Sequence, residues 1–184
     1  MILPIVAYGD PVLKKEAKNI TKDELDLPKL IEDMFDTMNN AGGIGLAAPQ
    51  IGKSIRVFIA DASPLEDEKT KDFKKVFINP TILEEYGEEW GYDEGCLSIP
   101  GIRGEVVRPS KVKIHYFDEN WNEHTDEFDG MPARIIQHEY DHIEGILFVE
   151  HFSSLKRQLL RGKLNNVSKG DVDVNYRMKF PVKK

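Results

Sequence analysis

One cysteine, Cys96, stands in 184 residues, so an intrachain disulfide is excluded, and with it the disulfide-stapled secreted scaffolds. No stretch approaches the roughly 20 apolar residues that a membrane helix needs. The opening MILPIVAYGD holds a short apolar run that contains Pro4 and follows no basic residue. It reads as a poor secretory signal. Internal repeats and low-complexity tracts are missing too. Together these absences lead to an expected cytoplasmic location with no membrane partner. A net charge of −7 speaks against a chain wrapped in nucleic acid, so DNA is not expected as a partner.

What remains is the balance of an ordinary folded protein, 40% hydrophobic and 31% charged. A single core serves chains of this length, so one domain over 1–184 is expected. The charge is uneven. From Leu155 onward nine basic residues face only Asp171 and Asp173, and 165–184 reads as a basic C-terminal extension.

Apolar spacing predicts a helix over 26–41, where Leu27, Leu30, Ile31, Met34 and Met38 share a face. Pro28 suits its first turn and Gly42-Gly43 its end. GIGLAAPQIG then reads as a small-residue loop before the strand SIRVFIAD. The charged run 63–75 reads as an exposed loop, and VFINPTILEEY as two short extended pieces broken at Asn79-Pro80. VKIHYFDENWNEHTDEF alternates as a hairpin turning at Asp118–Asn122. A main helix is predicted over 132–145, stopped by Gly145. A further helix is predicted over 153–164 with Leu155, Leu159 and Leu160 inward. The alternation from Val172 to Phe180 predicts a half-buried strand. Short antiparallel strands around a central helix, without βαβ regularity, indicate an α+β fold.

The strongest chemical feature is HEYDH, residues 138–142. Positions four apart lie on one helix face, so His138 and His142 can offer two imidazoles to one metal ion. Glu139, next to them, can handle a proton on metal-bound water, the logic of helical metallohydrolase sites. The bland alternative is two exposed histidines on an acidic helix.

The third ligand decides the subclass. HEYDHIEGILF nearly matches HExxHxxGxxH, but Phe148 stands where the last histidine belongs. Glu144 would point away from His142, and Glu150 and His151 have no recommended spacing. Cys96, in EGCLSIP, is the better candidate. A thiolate with two imidazoles makes a three-ligand site with one open position, as catalytic metals require. Such donors favour Fe(II), Zn, Co or Ni over Mg or Ca.

GIGLAAPQ (43–50), EGCLSIP (94–100) and QHEYDH (137–142), with the opening ILPIVAYGDPVL, resemble the signature motifs of the peptide deformylase family, in family order. The resemblance covers about residues 2–165. It implies a hydrolase that removes the formyl group from the N-terminal formylmethionine of new polypeptides. It implies one metal ion per chain, Fe(II) in the cell with Zn, Ni or Co able to replace it, bound by Cys96, His138 and His142. Glu139 would be the general base and then the acid, while Gln50 and the backbone N–H of Leu97 would face the formyl oxygen. Gly43, Ile44, Gly45, Glu94 and Gly95 fall in the motifs along the substrate. Ile44, Tyr92, Met131 and Ile135 would form the methionine pocket, with Arg134 standing where an apolar residue is expected. Asp141 would pair with Arg108.

Physical chemistry supports the central roles on its own terms. A bound metal lowers the pKa of its water, and Glu139 can take that proton and pass it to the departing amine. Donors aimed at the carbonyl oxygen stabilise its developing charge. Gly43 and Gly45 would let backbone approach the substrate, or simply form a helix stop and a turn. His115, His124 and His151 receive no role.

Two rival functions stay open at this point, a zinc endopeptidase and a non-catalytic metal-binding module. Phe148 speaks against the first, and the lack of a fourth ligand against the second. The basic tail is either a solvated surface or a contact for ribosomal RNA near the nascent chain.

Overall fold

The structure, a computed structural model, describes residues 1–182; Lys183 and Lys184, counted in the basic tail, lie outside the described residues. Strand β1 (Ile5–Val6) precedes helix α1 (Leu27–Asn40), whose buried face is Leu27, Leu30, Met34 and Met38. Asp26 caps α1 by accepting from the Lys29 N–H at 3.2 Å, which satisfies one orphan donor of the first turn. Gly42, at φ 73°, turns the chain out of the helix.

The segment read as a small-residue loop is more ordered than expected. Gly45–Ala47 forms strand β2, antiparallel to β3 (Val57–Asp61), and Ala48–Ile51 is a single 3-10 turn. Its small side chains allow β2 to lie under α2 (Gly130–Ile143).

Strands β4 (Lys74–Cys96) and β5 (Ile99–Phe117) form one long, irregular hairpin, much longer than the pieces the sequence suggested. The expected break at Asn79-Pro80 is a register shift inside β4, with Asn79 at φ 49°. Asn79 holds that kink in place, accepting from the Ile20 N–H and donating to the Ile20 carbonyl. The turn over Asp118–Asn122 leads to β6 (Glu123–Asp129), and the five strands β2-β3-β4-β5-β6 form one antiparallel sheet. Within 63–75, Thr70 and Phe73 are buried, so that loop is tied to the core rather than wholly exposed.

Beyond α2 the chain forms two short helices instead of one, α3 (Ser154–Leu159) and α4 (Arg161–Lys169). Leu164 and Val167 are the buried residues, while Leu155 and Leu159 are 65% and 75% exposed. The expected inward face was displaced because the helix breaks at Leu160, which is partly buried. The expected strand over 172–180 keeps its alternating burial, but only Met178–Lys179 (β7) pairs, parallel to β1. No described helix is long and apolar enough to cross a membrane.

Among the described residues, three apolar clusters fill the fold. One joins Phe58, Phe77 and Tyr116 to Ile135 and Ile136 of α2, and a second packs α1 on Leu46, Ile59 and Ile78. The third gathers Leu13, Ile99, Val106, Phe148 and Leu164. Cys96, Leu97 and Ile44 touch one cluster each, so the hairpin tip and β2 meet between them.

Candidate metal centre

The tip of the β4–β5 hairpin is a two-residue turn, Leu97-Ser98, closed by the pair Cys96↔Ile99. A register shift between Gly95 and Cys96 kinks the strand just there, a common way for a sheet to re-aim a side chain. Tyr92, Glu94 and Cys96 fall on one strand face by the period of two. Helix α2 supplies the other half. Donor atoms of Cys96, His138 and His142 all lie within 4.8 Å of one another. The Cys96 Sγ is 3.4 Å from His142 Nε2.

Behind His138 stands Glu94, only 3% exposed. Its Oε1 accepts from His138 Nδ1 at 2.9 Å, which leaves the lone pair of Nε2 free on the cysteine side. A carboxylate behind a ligating imidazole fixes ring and tautomer in metal sites. Arg108 donates to both oxygens of Glu94, at 2.8 and 3.0 Å, and Arg134 donates to Oε2 at 2.7 Å. Glu94, expected along the substrate, lines the cleft, and both its oxygens accept hydrogen bonds within the protein.

Burial alone would raise the Glu94 pKa, but the bonds from His138 and Arg108 overcome it and hold the carboxyl well below the usual range. Arg108 continues to Asp141 Oδ2 at 2.9 Å, which also accepts from His151 Nε2 at 2.9 Å. Phe148, at the position of the missing histidine, is 2% exposed and packs in the core beside His138.

Arg134, which stands where an apolar residue was expected, lines the cleft beside Tyr92, Met131 and Ile135. Its guanidinium is 2% exposed, lies over the Trp90 and Tyr92 rings, and donates to the Trp90 and Val106 carbonyls. The even positions of β5 face inward, Ile102, Gly104, Val106 and Arg108, so Arg108 and the Val106 carbonyl reach the same buried cluster.

Glu139 is 4% exposed, and one of its oxygens is buried without a hydrogen-bond partner. Burial pushes its pKa up, to about 7, against the pull of His138. A group poised there gains and loses a proton readily near neutrality. Burial lowers His142 and keeps it neutral, as a ligand must be. On His138 burial acts the same way, but the Cys96 sulfur and Glu94 outweigh it and favour the proton. A sulfur and two imidazoles, one backed by a carboxylate, fit a single divalent transition-metal ion.

The glycines of the first motif answer to side chains rather than to the substrate alone. A Cβ on Gly45 would stand 2.7 Å from Glu139 Oε1, and one on Gly43 would stand 2.8 Å from Leu97 Cδ1. Gly95 faces the Arg103 guanidinium in the same way. Gln50, 1% exposed, directs its amide nitrogen to Cys96 Sγ at 3.4 Å and to Ser98 Oγ at 3.2 Å. Its oxygen accepts from the Ala47 N–H, which fixes the side chain.

A cleft of about 770 Å³ opens on these groups, with Ile44, Tyr92, Met131 and Ile135 on its wall and His138 and Glu139 at its side. Leu65, from the 63–75 loop, also reaches it. Sequence reasoning missed a further wall, Asp173–Tyr176 of the C-terminal segment. The alternating burial of 172–180 was the available signal, but nothing in it named the cleft. Tyr176 donates its hydroxyl to the Leu97 carbonyl at 2.7 Å, and burial, with the nearby Cys96 sulfur, pushes that phenol up to about 12.

Known proteins are similar to this chain along most of its length. The sequence model of polypeptide deformylase matches residues 2–158. A peptide deformylase of Cytophaga hutchinsonii is 62% identical over 184 residues, covering all of both chains. One of Christiangramia forsetii is 55% identical, covering 98% of this chain and 97% of its own. The crystal structure of a peptide deformylase from Legionella pneumophila superposes with a TM-score of 0.81 at 40% identity, covering 90% of this chain and 95% of its own. The chain therefore belongs to the polypeptide deformylase family, hydrolases that remove the N-formyl group from newly made polypeptides.

Proposed function

We propose that Cys96, His138 and His142 hold one metal ion, Fe(II) in the cell, and that Glu139 carries the protons of formyl hydrolysis beside it. The observation behind this reading is the convergence of one sulfur and two imidazoles within 4.8 Å, next to a buried carboxyl with an unpartnered oxygen. A divalent metal supplies a Lewis acid and a lowered water pKa when bound there. The rest falls to the chain's own groups. Glu139 takes a proton from water as the water oxygen attacks the formyl carbon, then delivers it to the methionine nitrogen as the C–N bond breaks and formate leaves. The Gln50 amide and the Leu97 N–H donate to the formyl oxygen as its charge grows.

Ile44, Tyr92, Met131 and Ile135 receive the methionine side chain, and Gly43, Gly45 and Gly95 let the peptide lie close to β2 and β4. Their common position on the cleft wall supports this. Arg108 and Asp141 steady the site through Glu94. A single catalytic domain working in the cytoplasm, with 165–184 as a basic extension, completes the reading.

The same reading extends to ribosomal RNA as a partner of the basic extension. Support comes from Lys169, Arg177 and Lys179, which are exposed along the extension. Deleting 171–184 is expected to weaken ribosome association with a marked salt dependence, the deficit being largest at low salt and shrinking as salt rises. Association that is unchanged at every salt concentration would remove this partner.

The activity test sets a formyl-Met tripeptide against a longer unformylated peptide, with metal measured on anaerobically purified protein. Release of formate from the first, with the second untouched, is expected. Preferential cleavage of the longer peptide would overturn the assignment.

A further inference from the structure

The C-terminal segment carries a feature that the metal and proton chemistry does not use. After α4, Gly170 at φ 79° turns the chain back toward the hairpin tip. Val172, Val174, Tyr176, Met178 and Phe180 are half-buried while their neighbours are exposed. Pairing of β7 with β1 fixes this path, through bonds from the Ile5 N–H to the Arg177 carbonyl at 3.0 Å and from the Ala7 N–H to the Lys179 carbonyl at 2.9 Å. Tyr176, two residues before Met178, thus shares its face and joins the cluster that contains Leu97.

Among the described residues, three bonds reach the Leu97-Ser98 turn from outside the hairpin. The Tyr8 N–H donates to the Ser98 carbonyl at 2.9 Å. Gln50 donates to the Ser98 hydroxyl at 3.2 Å. The Tyr176 hydroxyl donates to the Leu97 carbonyl at 2.7 Å. Only the last acts on Leu97 itself. A peptide unit is planar, so a bond at the Leu97 carbonyl fixes the plane on the C-terminal side of this residue. The ladder pair Cys96↔Ile99 restrains the other side. Between the two, the direction of the Leu97 N–H has little freedom left.

We propose that Tyr176 is a positioning residue for deformylation, aiming the Leu97 N–H at the formyl oxygen by holding the Leu97 carbonyl. This rests on the reading of Leu97 as a donor to that oxygen. Donors contribute to rate only when they are already directed at the place where charge develops. A tail strand that ties the donor turn to the N-terminal strand supplies that direction from outside the three sequence motifs.

The test is Tyr176→Phe, which keeps the ring and removes the hydroxyl. kcat and KM are measured on formyl-Met amide and on a formyl-Met tripeptide, well below the melting temperatures of both proteins, with wild type alongside. Loss of one hydrogen bond of this kind is expected to lower kcat about three- to tenfold on both substrates while KM stays within about twofold. Unchanged kcat would overturn the proposal. A rise in KM confined to the tripeptide would also overturn it, since that marks a passive wall of the cleft. Should the phenylalanine variant not fold, Tyr176→Met is read against the same outcomes. A wild type that releases no formate would instead sink the deformylase reading, so the two failures are distinct.

Discussion

Glu94 Oε1 accepts from His138 Nδ1 at 2.9 Å, and two buried arginines, Arg108 and Arg134, hold the same carboxylate from behind. One carboxylate thus serves two guanidiniums and an imidazole, the last belonging to the candidate metal centre. Glu94→Gln keeps the shape and removes the charge. Metal affinity is expected to fall about 10- to 100-fold, as read by competition with a fluorescent chelator. Stability is expected to fall by about 3–5 kcal/mol, because Arg134 stays buried without its counter-charge and Arg108 keeps only Asp141. Unchanged affinity would mean that His138 needs no partner behind it.

Glu139 Oε2 is buried without a hydrogen-bond partner beside the three donors. Glu139→Gln is expected to leave metal content at one ion per chain while turnover drops about 10²- to 10⁴-fold. Metal analysis and a formate-release assay on the same preparation check both halves. Equal loss of metal and rate would make Glu139 a structural prop of the ligand set.

Gly45 is separated from Glu139 by less than a methyl group needs, with 2.7 Å from its ideal Cβ to Oε1. Gly45→Ala must displace either β2 or the carboxylate. Turnover is expected to fall about 10²-fold, since misplacement of a catalytic group by an ångström has that scale. Far-UV circular dichroism should stay unchanged. Full activity would show that the Glu139 side chain can move aside at no cost.

Leu155 and Leu159 were expected to pack inward, and their exposure makes the opposite outcome testable. Replacing either with Gln is expected to change stability by no more than about 0.5 kcal/mol in urea unfolding. A loss of 2 kcal/mol or more, on the scale of a buried leucine, would restore the packed helix that the spacing suggested.

These cases mark where the sequence was readable. Helix α1 and helix α2 announce themselves through apolar spacing and end at glycines, and HEYDH names its own geometry because four residues make one helical turn. Cys96 could be nominated only by elimination and by resemblance, since the β4–β5 hairpin brings it to α2 across more than 40 residues of chain. The long hairpin itself was hidden. Its strands carry Gly, Pro and charged residues, such as Gly87, Gly91 and Pro109, and bulge repeatedly, so the period of two is broken as it is written.

The role of Glu94 was hidden for another reason. A carboxylate next to a ligand in sequence suggests the cleft, whereas only the fold shows that Arg108 and Arg134 converge on it. The tail shows the reverse situation. Its alternation correctly forecast half-burial, yet pairing is confined to Met178–Lys179 because β1 offers a partner only two residues long.

The most direct measurement is X-ray absorption at the zinc edge of protein loaded with one zinc ion per chain. One sulfur at about 2.3 Å and two nitrogens at about 2.0–2.1 Å are expected, with a light-atom ligand completing four. The sulfur signal should vanish in Cys96→Ser. A first shell of nitrogen and oxygen alone in the wild type would contradict the joining of the hairpin tip to helix α2 at one metal ion.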